Sequence, residues 1–230
     1  VVLEQGPAAA LVEQGAALLD GLQPGQDLLL RWYRATDTAV VLGRGQRREL
    51  LGPTDLPVVG RFSGGGAVLM DPGLLCLDVL IPAGHRWLEG DLGRPFQVVG
   101  TAWAQALTSL GVADVSVFGD ARQRKVRGTP REQLLAAICY ATLGRGEVTA
   151  GGRKLVGLAQ RRRRPGALIQ CGLLRRWDPV PLLRALGASA DDAEITEAAT
   201  GLDDLLAPAP PDDVVIAAVE EALQRVEATQ

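Results

Sequence analysis

Of the 24 Lys and Arg residues in this chain, only Lys125 and Lys154 are lysines. Lys154 sits in Gly-Gly-Arg-Lys-Leu-Val-Gly (151–157), where an apolar segment begins. An ammonium is a compact point charge whose ionisation moves readily on desolvation, whereas a guanidinium stays charged and seeks a planar partner. Lys154 is therefore a candidate for chemistry. The same pattern also fits an exposed lysine at a strand end, its stem packed on the surface. The second candidate is Ser63-Gly64-Gly65-Gly66-Ala67-Val68 between two apolar runs. Three glycines remove every Cβ, so a ligand can approach main-chain N–H groups that cradle a phosphate or carboxylate. A tight hairpin turn with a bulge reads the same way. No Walker or dinucleotide pattern follows it.

Other chemistries are bounded by what is scarce. The single histidine, His85, excludes a metal site built on several histidines, and its place after Ile-Pro-Ala-Gly suggests a surface loop. Cys76, Cys139 and Cys171 are widely spaced, without a CxxC pair, which fits free thiols in a reducing compartment and no metal site. A net charge of −3 argues against a general nucleic-acid binder. The exceptions are local: Arg161–Arg164 and Arg175-Arg176. No secretory segment and no apolar run of membrane-spanning length stand out, so a cytoplasmic protein that does not enter the membrane is expected.

The elements that must position these residues can be read from apolar periodicity. With 47% hydrophobic residues the chain can bury a full core, although only 4% are aromatic. Helices are expected over 6–25, 93–111, 178–187 and the terminal run 212–228, whose acidic first turn suits the helix dipole. Strands are expected over 27–35, 38–46, both ends of 56–82, 112–119, two within 138–162, and 166–174. Residues 122–132 read as an exposed basic loop, 189–202 is ambiguous, and 206–211 reads as a linker. Without regular βαβ alternation the fold class is α+β, a sheet with helices on one side. Residues 1–205 are expected to form the catalytic domain, with 206–230 a linker and an amphipathic helix packed on it.

In combination, Val-Leu-Gly-Arg-Gly-Gln (41–46), Arg-Phe-Ser-Gly-Gly-Gly-Ala-Val (61–68) and Gly-Arg-Lys-Leu-Val-Gly-Leu-Ala-Gln-Arg-Arg (152–162) resemble the biotin/lipoate A/B protein-ligase family. The closer likeness is to its lipoate-protein ligases and octanoyltransferases, over about residues 6–177. The resemblance implies a mixed, largely antiparallel sheet flanked by helices, of the class II synthetase-like type, with a tunnel for an eight-carbon acyl chain. It implies that Lys154 lies against the activated acyl carboxyl or acyl-phosphate. Cys139, fifteen residues earlier, resembles the nucleophile of the cysteine-dependent octanoyltransferases; a neighbouring ammonium would favour its thiolate. Acyl- or adenylate-binding roles carry over to Arg31, Arg61, Ser63, Gly64, Gly65, Gly66, Ala67, Gly157 and Gln160. Cys76 and Cys171 lie in apolar strand runs and read as core.

The implied activity is transfer of a lipoyl or octanoyl group to a lysine of acceptor lipoyl domains, those of 2-oxoacid dehydrogenase E2 chains or of glycine-cleavage H protein. Acyl carrier protein is one candidate donor. A thioester on Cys139 is slightly favoured. The alternatives are ATP- and magnesium-dependent ligation through lipoyl-AMP, and a relative that binds acyl groups or lipoyl domains without turnover. The departures bear on this choice. Phe62 stands where many relatives have a second arginine, Met70 precedes Asp71 where many have histidine, and Cys171 replaces another histidine. Loss of both histidines resembles the branch that exchanges octanoyl groups between acceptor domains, whereas the glycine triplet is the form usual in ligases. About 50 residues follow the last expected strand, so an accessory domain, where needed, is expected from a partner chain.

Overall fold

The computed structural model describes residues 2–119 and 128–229. In chain order the elements are β1 (Leu3–Gly6), α1 (Ala8–Gly21), β2 (Leu29–Ala35), β3 (Ala39–Leu42), β4 (Val58–Gly60), β5 (Val68–Met70), β6 (Leu74–Pro82) and α2 (Arg94–Ser109). There follow β7 (Val115–Val117), α3 (Pro130–Ala137), β8 (Val148–Ala150), β9 (Arg153–Arg163) and β10 (Gly166–Leu174). The chain then runs through α4 (Val180–Ala185), α5 (Ala193–Ala198), α6 (Leu202–Leu205) and α7 (Asp212–Thr229). Among the described residues a seven-stranded sheet runs β1-β2-β6-β10-β9-β8-β7, beside a three-stranded sheet β4-β3-β5. Pairing is antiparallel except for β1 with β2 and β3 with β4. This is the mixed, largely antiparallel α+β architecture expected, except that helices lie on both faces of the large sheet and not on one side alone, α2 and α7 on one and α1 on the other.

The two faces of the large sheet are divided by strand alternation. Leu75, Leu77, Val79 and Ile81 of β6, with Ala167, Ile169, Cys171 and Leu173 of β10, pack against Val99, Trp103 and Leu107 of α2 and Val215, Val219 and Leu223 of α7. Trp32 joins them, edge-on to Trp103, and its indole donates to Glu220 of α7 at 3.0 Å. The opposite face carries Tyr33, Leu74, Cys76, Leu80, Leu168 and Leu174 and is covered by α1 and the small sheet. The candidate site lies on this second face. Both central strands are apolar on both sides, as a sheet covered on two faces requires.

Two expectations are corrected. The segment expected as a loop over 122–132 enters helix α3 at Pro130, because Thr129 and Glu132 form a reciprocal capping box. Lys125 and the rest of that stretch up to residue 127 lie outside the described residues. Strand β1, not anticipated, is held as the parallel edge partner of β2. The ambiguous 189–202 segment contains α5, capped by the Asp192 carboxylate on the Ile195 N–H at 3.1 Å. Among the described residues no helix is long and apolar enough to cross a membrane.

Candidate active site

Lys154 is the second residue of β9 and is 1% exposed. A β-bulge decides where it points. Thr149 pairs with Lys154 but Val148 with Val156, so Leu155 is an extra residue on β9. In a regular ladder Lys154 would share the side of Val156 and Leu158, which belong to the core beneath α2. The bulge sends Leu155 into that core with Val156 and swings Lys154 to the other face. There its stem crosses Gly157, where a Cβ would lie 3.3 Å from Lys154 Cε and 3.2 Å from the Tyr140 ring. The ammonium lies 5.2 Å from the centre of that ring.

Nζ donates to the carbonyls of Cys139 at 2.7 Å and Thr142 at 3.1 Å, and pairs with Glu147 Oε1 at 2.6 Å. The Cys139 sulfur is 3.8 Å away. Glu147 was not anticipated, although it is the only acid between Cys139 and Lys154. Its Oε1 also accepts the Leu158 N–H and its Oε2 the Gly144 N–H. Tyr140, the residue after Cys139, donates its hydroxyl to the Gly172 carbonyl at 2.6 Å. Burial, then the nearby Cys139, Cys76 and Glu147, push its phenol well above the ordinary range, so it is neutral.

The glycine turn meets this group through its backbone. Ala67 N–H donates to Ala137 O at 2.6 Å and Cys139 N–H to Ala67 O at 3.0 Å. A Cβ on Gly66 would lie 2.7 Å from Cys139 N and 2.8 Å from Ile138 C, so only glycine permits the approach. Arg61, 8% exposed, holds the turn by donating to the carbonyls of Gly64 at 2.8 Å and Gly66 at 2.7 Å. In a trans peptide the N–H opposes the C=O, so the Gly65 N–H points away from Arg61. Gly65 itself has φ +96°. Ser63, 1% exposed, donates to Gln170 Oε1 at 2.6 Å. The turn therefore spans from β10 at Gln170 to the Cys139–Lys154 pair.

Beside Ser63 a narrow crevice, with enclosed room for about one water molecule, lies between α1 and the sheet, lined by Val12, Ala16, Leu19, Phe62, Leu168 and Gln170. Arg161 and Arg163 complete its lining. Arg163 pairs with Asp20, whereas Arg161 Nε has no hydrogen-bond partner.

Two anticipated residues stand apart from this group. Arg31 is spent beneath α1, donating to Glu4 at 2.8 Å, Asp78 at 3.1 Å, Gln14 at 2.9 Å and the Leu11 carbonyl at 3.0 Å. It thereby anchors the helix that walls the crevice. Gln160 alternates with Val156 and Leu158 and pairs with Ile169, so it faces the α2 side, away from Lys154; its Nε2 is buried without a partner. Asp78, fully buried under Gly15, was missed although a charge inside Leu-Leu-Cys-Leu-Asp-Val-Leu-Ile-Pro was visible. Burial pushes its carboxyl up to about 6, against the opposing Arg31 charge and the Tyr33 hydroxyl. Gln170 was equally visible as a polar residue in an apolar strand.

The three thiols differ. Cys76 and Cys171 are buried in β6 and β10, and Cys139 is partly exposed. Burial, with Asp78 adding to it, pushes the Cys76 thiol far up, and burial holds Cys171 at about 12. Among the described residues no cluster of His, Cys, Asp and Glu could hold a metal ion. His85 lies elsewhere, its ring accepting the Trp87 N–H and contacting Glu227 at 3.3 Å.

A partly exposed thiol, a buried lysine and a glycine turn thus converge from three distant segments. The family model described as the lipoyl protein ligase A/B catalytic domain matches residues 12–224. The chain belongs to this family. It is 29% identical over 150 residues to octanoyltransferase LipM of Exiguobacterium sp., covering 62% of this chain and 52% of that protein. It is 31% identical over 163 residues to octanoyltransferase LipM of Moorella thermoacetica, covering 68% of this chain and 56% of that one. The chain thus spans about half the length of the curated relatives it matches. A crystal structure of lipoate-protein ligase A bound with ATP shares the fold, with TM-score 0.76 and 21% identity over 98% of this chain and 83% of that one.

Proposed function

We propose that this family member transfers octanoyl or lipoyl groups to a lysine of acceptor lipoyl domains through a thioester on Cys139. The observation that carries the reading is the Cys139 sulfur 3.8 Å from the Lys154 ammonium, at a backbone junction with the glycine turn. The other two thiols are buried and held protonated, which supports Cys139 as the nucleophile in this reading. Its sulfur bonds to the acyl carbon as the donor's thiolate departs. The acceptor amine then attacks that carbon and Cys139 leaves. Lys154 supplies fixed positive charge beside the developing oxyanion.

The acyl tail enters at the apolar crevice of Val12, Ala16, Leu19 and Leu168, whose side chains must part to admit it. From Leu168 to Gly172, beside Tyr140, is four residues of strand, roughly 13 Å. Arg161 and Arg163 at its lining give a positive approach for acidic lipoyl domains or an acidic acyl carrier. A ligase reading has one supporting observation, the Gly65 N–H turned out from Arg61, a backbone donor that suits the phosphate of an acyl adenylate formed from ATP and magnesium.

The test is the intact mass of a lipoyl domain incubated with the protein and octanoyl-carrier protein without ATP, or with lipoate, ATP and magnesium. A gain only with the octanoyl carrier, plus an octanoyl adduct on wild-type enzyme that Cys139→Ser lacks, is expected. A gain only with lipoate and ATP, or full transfer by Cys139→Ser, rejects the thioester.

A further inference from the structure

The Lys154 ammonium has three N–H donors, and three oxygens within 3.1 Å already take them: Glu147 Oε1, Cys139 O and Thr142 O. The Cys139 sulfur is a fourth neighbour, at 3.8 Å, for which no proton is left over. Glu147 is equally engaged, held between Lys154 and the N–H groups of Leu158 and Gly144. The two side chains are 1% and 5% exposed. A carboxylate buried against the ammonium cancels, at the sulfur, most of the field that an isolated lysine would impose. This differs from a bare thiolate–ammonium pair.

We infer that Glu147 is a positioning residue which, acting through Lys154, keeps Cys139 a neutral thiol at rest and receives its proton during acyl transfer. The inference rests on the thioester reading above. As Sγ bonds to the acyl carbon, the thiol proton passes to Nζ while Nζ passes one of its own to Glu147 Oε1. The donor's C–S bond breaks, and the departing thiolate takes a proton back along the same path. The donor leaves as a thiol and Glu147 returns to a carboxylate, so the step balances without an outside base. Among the described residues, the titratable groups facing the pair are Cys139 and Tyr140, the latter neutral. The neighbouring strand β10 presents Gly172, and the segment after α5 presents Ala199 and Thr200, all uncharged.

The experiment is the pH profile of Cys139 alkylation by iodoacetamide, read by peptide mass, for wild type, Glu147→Gln and Glu147→Asp, with single-turnover octanoylation alongside. In Glu147→Gln the ammonium is uncompensated. Alkylation at pH 7 is therefore expected to rise at least about tenfold, one unit of profile shift, while octanoylation falls at least as much. The high-pH plateau should stay within about twofold, since the ionised sulfur is the same species. A loosened fold would raise the plateau and expose Cys76 and Cys171 as well. Glu147→Asp, whose carboxylate is withdrawn by one methylene, should shift the profile the same way by less, and it decides the matter should Glu147→Gln not fold. An unmoved profile, or one moved to higher pH, overturns the inference. Transfer by Cys139→Ser would overturn the thioester reading and leave the profile as a separate result.

Discussion

Replacing Gly66 by alanine tests whether the glycine turn positions Cys139. The added Cβ would sit 2.7 Å from Cys139 N, 2.8 Å from Ile138 C and 2.9 Å from Ala137 C. All three are backbone atoms, so no side chain can swing aside, and the turn must separate from residues 137–139. The bonds from Ala67 N to Ala137 O and from Cys139 N to Ala67 O stretch or break. At roughly 1 kcal/mol net each, with overpacking of about 1–3 kcal/mol, the cost is about 3–5 kcal/mol. The rate should suffer more, because a displacement near 1 Å at a reacting atom costs on the order of a hundredfold. Gly64→Ala is the control: nothing lies within 4 Å of its Cβ position, and its stability should stay within about 0.5 kcal/mol of wild type. Urea unfolding and single-turnover octanoylation read both effects. Wild-type rate and stability in Gly66→Ala, or an equal stability loss in Gly64→Ala, would show that the close approach does not matter.

Three further outcomes are expected. Lys154→Met strands the Glu147 carboxylate in the interior and should cost about 3–5 kcal/mol in urea unfolding; adding Glu147→Gln should recover much of the stability but none of the transfer. Asp78 is held at about 6 in the fold against an ordinary 3.8, so the native state binds its proton more readily than the unfolded chain. Wild-type stability relative to Asp78→Asn should therefore grow as pH falls from 7 towards 4, and a gap that shrinks contradicts that environment. Ala16→Phe fills the crevice between Val12 and Leu168; single-turnover assays should show octanoyl transfer falling at least about tenfold while butanoyl transfer persists, and equal losses for both chains would move the acyl tail elsewhere.

Much of the frame was legible because it depends on local pattern. Apolar runs bounded by glycine and proline marked β2, β6, β10 and α2, and the rarity of lysine singled out Lys154. The Thr129–Glu132 capping box is also written in the sequence, but the basic residues before it outweigh it, so the expected loop over 122–132 takes in the first turn of α3. Arg31 and Gln160 were carried over by motif position. Which way each side chain points depends on strand register, and on partners brought in by α1 and α2.

By itself, then, the sequence determined an α+β sheet enzyme-like frame, a glycine turn that backbone could approach, and the residues Lys154 and Cys139 as candidates for chemistry. Tertiary structure alone decided that Leu155 bulges, so that Lys154 faces the turn and not the α2 core. It also decided that Glu147 pairs with the lysine, and that Arg61 serves the turn's carbonyls. The physical reason is that composition and periodicity fix what each residue can do and which face it prefers. A one-residue change of register reverses that face, and a buried charge takes its meaning from partners that only the folded chain brings within 3 Å.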